Sequence, residues 1–124
     1  MNKNQIVNNL KKIITLDTKK IIIVGLSEEC FMTAKMLHEL KKDLYAYASD
    51  DLSAVARFNK NNIIFAEKWF GDDIEHLIKV LPFGEALLLS NVLYLIASKH
   101  YEKQLTSHGY KKNIDFFAIN EVIK

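Results

Sequence analysis

The sequence predicts an α/β domain built on a mainly parallel sheet, and three observations predict it. Four consecutive β-branched residues, Ile21, Ile22, Ile23 and Val24, are bounded by Lys20 and Gly25, the pattern of a strand buried on both faces. Apolar residues then recur at helical spacing at Phe31, Ala34, Leu37 and Leu40. Strand-like and helix-like segments keep alternating to the end of the chain, which implies right-handed βαβ crossovers and not hairpins.

Each element has its own reason. Ile6, Val7, Leu10, Ile13 and Ile14 fall on one helical face, so residues 1–18 are expected to form an amphipathic helix, capped by Asn2 or Asn4, that docks on a single domain of residues 19–124. After the first strand, Ser27 offers a helix N-cap, with Glu28 and Glu29 in the first turn where the macrodipole favours acids. Lys41 and Lys42 suit that helix's other end. Leu44, Tyr45, Ala46, Tyr47 and Ala48 form a second strand that runs into Ser49, Asp50 and Asp51. Residues 52–58 fit a short helix, and Ile63, Ile64, Phe65 and Ala66 a third, edge-like strand. Gly71, Asp72 and Asp73 start a helix with Ile74, Leu77, Ile78 and Leu81 on one face, closed by Pro82 and Gly84. Ala86, Leu87, Leu88 and Leu89 form a fully apolar fourth strand. After Ser90 and Asn91 a long helix runs to about His108, where Gly109 suits the C′ position. Residues 115–119 complete a Rossmann-like sheet of five strands with helices on both faces.

The bulk composition closes off several function classes. A length of 124 residues fits one domain with one core. With 49% apolar and 26% charged residues the chain can bury a core, which excludes intrinsic disorder. A net charge of +2, with lysines scattered as the pairs Lys11-Lys12, Lys19-Lys20, Lys41-Lys42 and Lys111-Lys112, argues against nucleic acid as a partner. Residues 1–10 are polar and hold no apolar core of a secretory signal. No apolar run approaches the roughly 20 residues that span a bilayer, so a soluble protein with no membrane contact is expected. A single cysteine, Cys30, forms no internal disulfide, which suits a reducing cytoplasm.

In an open α/β sheet, ligands bind beyond the carboxyl ends of the strands where the strand order reverses. Three loops are expected to meet there: Gly25 to Glu29 after the first strand, Ser49-Asp50-Asp51 after the second, and Ser90-Asn91 after the fourth. Gly25 permits a tight turn into a helix whose N–H groups can hold an anion, and Ser27 and Glu28 follow it. The dinucleotide fingerprint needs two more glycines, and here those places are held by Ser27 and Cys30. Asp50, with Asp51, stands about 25 positions after Gly25, where ribose hydroxyls are gripped in dinucleotide-binding domains. A turn glycine and a pair of capping residues explain the same letters without a ligand.

Other residues carry less. Cys30 and the pair Met32 and Met36 read as core. His38, His76, His100 and His108 have no ligand spacing, so no metal is expected. His100 and Tyr101 lie within reach of the cleft but are expected to face solvent, and Trp69 with Phe70, which could also line a pocket or a partner surface, to cover a sheet edge. No residue set amounts to a catalytic site, which leaves an enzymatic role open.

The stretches Ser98-Lys99-His100-Tyr101-Glu102-Lys103-Gln104-Leu105 and Gly109-Tyr110-Lys111-Lys112-Asn113-Ile114-Asp115-Phe116-Phe117, with Ile22-Ile23-Val24-Gly25 and the Asp pair in the front half, carry a resemblance. Over residues 19–120 the chain resembles small Rossmann-like nucleotide or nucleotide-sugar binding domains of bacterial polysaccharide-biosynthesis and sugar-modifying proteins. The resemblance implies an NAD-like or nucleotide-sugar ligand held through Gly25, Asp50 and Ser90, in a domain that serves a homodimer or a partner enzyme. Two other readings stand beside it. One is a non-catalytic interaction module that kept the fold and lost the site. The other is a receiver-like phosphotransfer domain, disfavoured because Gly25 stands where its first acidic cluster belongs.

Overall fold

The computed structural model describes residues 20–40, 42, 44–61 and 79–119. Among these described residues nine elements follow in order: β1 (Lys20–Val24), α1 (Glu28–Glu39), β2 (Leu44–Ser49), α2 (Leu52–Lys60), β3 (Val80–Pro82), α3 (Phe83–Ala86), β4 (Val92–Ile96), α4 (Lys99–Ser107) and β5 (Phe116–Ala118). The five strands form one sheet in the order β3-β2-β1-β4-β5, and every neighbouring pair is parallel. This is the Rossmann-like α/β architecture that the alternating segments predict. The order also differs from the 2-1-3-4-5 order of receiver-type sheets, so among the described strands the receiver reading loses its topology.

The β-branched run of β1 lies at the centre because it can be covered twice. Ile21 and Ile23 join Phe31, Leu37, Tyr47, Phe58 and Leu95 in a core beneath α1 and α2. Ile22 and Val24 join Ala48, Phe83, Tyr94, Ile96, Tyr101, Leu105 and Phe116 beneath α3 and α4. Ile22, Ile23 and Val24 are fully buried, each worth about 1.5–3 kcal/mol of burial.

Three expectations need correction. Val80, Leu81 and Pro82 are a strand and not the end of a helix. Pro82 is the last residue of that strand, on the rim of the sheet, where its missing N–H breaks no ladder. The side-chain amide of Asn59 donates to the Val80 carbonyl and accepts from the Val80 N–H, at 3.0 and 2.9 Å. Ala86 ends the short helix α3 and is not the start of a strand; Leu87 and Leu88 turn after it, with Leu88 86% exposed. Val92–Ile96, expected inside a long helix, is the buried strand β4, and α4 begins only at Lys99. The C′ role of Gly109 holds: its φ is +92° just beyond the α4 C-cap His108.

The expected helix of residues 1–18, the strand at 63–66, the helix start at 71–78 and the pair Trp69 and Phe70 lie outside the described residues. Among the described residues no helix is long and apolar enough to cross a membrane.

Candidate functional site

Strand order reverses between β1 and β4, so the carboxyl edge beside those two strands is where this fold leaves a crevice. The structure brings Gly25 and Asp50 to that edge. Gly25 has φ +123° and its N–H donates to the Ala48 carbonyl at 2.8 Å, which seats the turn against the end of β2. A β-carbon here would be strained and would meet Cys30 Sγ at 3.1 Å. Cys30 is fully buried, and the Ser27 hydroxyl donates to its sulfur at 3.3 Å. The two side chains that replace the missing glycines thus pack against each other under the turn. Burial pushes the Cys30 thiol up, a property of a packed thiol and not of a nucleophile.

Ser27 occupies the N-cap position of α1, yet its side chain makes no cap hydrogen bond. Glu28 and Glu29 are exposed in the first turn. They complement the helix dipole, and for the same reason they set negative charge where a phosphate would approach.

Asp50 is the centre of the site. Its Oδ1 accepts from the Tyr101 hydroxyl at 2.9 Å, and that hydroxyl in turn accepts from the Asp50 backbone N–H at 3.1 Å. Its Oδ2 accepts from His100 Nε2 at 2.5 Å. The hydrogen bond from His100 is the largest cause holding the Asp50 carboxyl below the ordinary carboxylate range; partial burial opposes it, and Tyr101 adds to it. Desolvation pushes the Tyr101 phenol up, so it stays a donor. The Tyr101 ring packs edge-on against Phe83 at 5.0 Å, in the core under α4.

Asp51 has a different task. Its Oδ1 accepts from the Ala54 N–H at 3.1 Å, so it caps α2. Ser90 and Asn91 are not part of the edge at all. They precede β4, and the Asn91 carbonyl accepts from the Lys20 N–H at the start of β1, so both sit at the amino end of the sheet. Their misplacement follows from reading β4 as helix. The loop that does follow β4 is Ala97-Ser98, with Ser98 at the N-cap position of α4.

Of the two residues expected to face solvent, His100 does so while bonding Asp50, whereas Tyr101 is buried. Tyr101 is only 7% exposed. The available signal was Ser98 as an N-cap, which places His100 and Tyr101 in the first turn of a helix at the carboxyl edge. Among the described residues no group of His, Cys, Asp and Glu could hold a metal ion. The arrangement therefore offers a fixed, ionised hydrogen-bond acceptor beside a neutral phenol donor and an exposed imidazole.

Comparison of the chain with protein-family models, with curated proteins and with solved structures finds no match.

Proposed function

We propose that this chain is a nucleotide or nucleotide-sugar binding domain whose ribose end is taken by Asp50. One observation carries the reading: an ionised carboxylate with a 40% exposed side chain stands at the end of β2, beside the reversal of strand order. A vicinal diol donates two hydrogen bonds, and an ionised carboxylate is the acceptor that fits it. A 2′-phosphate would repel the same group, so ligands with a free 2′-hydroxyl are favoured. Gly25 supplies the tight turn that such a ligand would cross. Glu28 and Glu29 make the phosphate end the weaker half of the site.

The setting in bacterial surface-polysaccharide or sugar biosynthesis rests on the resemblance of residues 98–105 and 109–117. A cytoplasmic location agrees with a lone, buried thiol at Cys30. Thermal melts of the purified protein with millimolar UDP-sugars or NAD test the reading. The melting temperature should rise by mass action, and the rise should disappear in Asp50→Ala. Silence toward every nucleotide would end it.

A second reading, an interaction module with a degenerate site, is favoured by the engagement of both Asp50 oxygens by the chain's own α4. It expects no ligand response and a mass in light scattering that grows with concentration.

A further inference from the structure

We propose that the two oxygens of Asp50 have separate tasks, Oδ1 being fixed by Tyr101 and Oδ2 being held by His100 until a ligand diol replaces the imidazole. The inference rests on the nucleotide reading above and deepens it by naming how ligand is admitted.

The asymmetry is visible in what surrounds each oxygen. Tyr101 closes a ring with Asp50, donating to Oδ1 while accepting from the residue's own backbone N–H. Its ring is packed on Phe83 and belongs to the core with Leu105 and Phe116. Swinging the Tyr101 side chain away would open the α4 face of the sheet and leave the Asp50 N–H without its partner. His100 is held less firmly, its imidazole lying edge-on to the Tyr101 ring at 5.2 Å but outside the core. Its side chain is 59% exposed, and its polar neighbours are Asp50 Oδ2 and the Gln104 side-chain nitrogen, 2.9 Å from Nε2. An exposed pair of this kind is a weak, exchangeable contact.

A ligand hydroxyl and the imidazole N–H are donors of the same kind, so one can take the place of the other without leaving Oδ2 unpaired. Exchange keeps the carboxylate pre-aimed by Tyr101, and it selects for a neutral donor pair over an anion. Tyr101 is in this sense a positioning residue, and His100 an internal competitor.

The test measures affinities of UDP and ADP, and of their 2′-deoxy counterparts, for the wild-type protein, His100→Ala and Tyr101→Phe, with thermal melts of each variant to verify folding. Removing the competitor should tighten ribonucleotide binding by up to about fivefold, the scale of an exposed side-chain contact, and leave the 2′-deoxy ligands unchanged. Tyr101→Phe should weaken ribonucleotide binding by about tenfold or more, the scale of a hydrogen bond to a charged group. Ribonucleotide binding that is unchanged or weaker in His100→Ala overturns the exchange and leaves the nucleotide reading standing. Equal tightening of the deoxy ligands overturns it too, because the diol would then not be the incoming group. Absence of binding in all three proteins removes the nucleotide reading and the exchange with it.

Discussion

The two faces of the sheet use the same aromatic chemistry in opposite ways. Beneath α1 and α2, Phe31, Tyr47 and Phe58 form a cluster with ring centroids 5.4 to 5.7 Å apart. The Tyr47 hydroxyl is buried there with no hydrogen-bond partner among the described residues, and desolvation pushes its phenol upward. Beneath α3 and α4 the tyrosine hydroxyls all find work. Tyr94 donates to the Ala86 carbonyl at 2.9 Å, Tyr110 to the Leu87 carbonyl at 3.3 Å, and Tyr101 to Asp50. The reason lies in α3. Tyr94 and Tyr110 add side-chain donors at the C-terminal end of this short helix, on Ala86 and on the C-cap Leu87, beyond its own backbone hydrogen bonds. One face is a hydrophobic clamp; the other is a set of polar struts, the last of which reaches the carboxyl edge.

That contrast can be broken by measurement. The largest effect should come from the clamp: Phe31→Ala removes a ring stacked on Phe58 and should cost about 3–5 kcal/mol in urea unfolding. A cost below about 1 kcal/mol would mean that the cluster is not the core of its face. On the opposite side, Tyr94→Phe keeps the ring and loses one strut, which should cost about 1 kcal/mol, since the Ala86 carbonyl still accepts from the Leu89 N–H.

How much of this was legible in the sequence depends on the same division. β1, α1 and β2 were readable because each has a single period: an unbroken β-branched run, a 3–4 spacing after an N-cap, and a short apolar stretch ending in acids. β4 was not. Val92 and Ile96 continue at near-helical spacing into Tyr101 and Leu105, so the strand and the helix after it read as one helix. Short apolar runs carry no period that separates a buried strand from a helix turn, and Ala86 with its leucines was misread for that reason. Asp50 was found from its place after β2, whereas its partners lie 50 and 51 positions away and only the α4 crossover brings them to it.

The smaller effects sharpen the comparison. Because the folded-state pKa of Asp50 is depressed, its contribution to stability is present above the unfolded carboxylate range and is lost as pH falls through the folded value. Wild type and Asp50→Asn should therefore differ in Tm at neutral pH, by no more than about 4 °C given the exposure of the pair, and converge in acid. A gap that persists unchanged at low pH would assign the effect to geometry instead of charge. Tyr47→Phe should be smallest, neutral or stabilising by up to about 1 kcal/mol, because it deletes a buried hydroxyl that bonds to nothing described. If it costs as much as Tyr94→Phe, the two faces are alike and the contrast fails.

The amide of Asn59 has a consequence for how copies of this chain meet. In β3 the ladder to β2 uses alternate residues, so Val80 and Pro82 turn their backbone outward. Asn59 occupies both polar groups of Val80, and proline has no N–H to offer. Among the described residues neither Val80 nor Pro82 offers an incoming extended segment a free N–H on that flank, which disfavours growth of the sheet along β3.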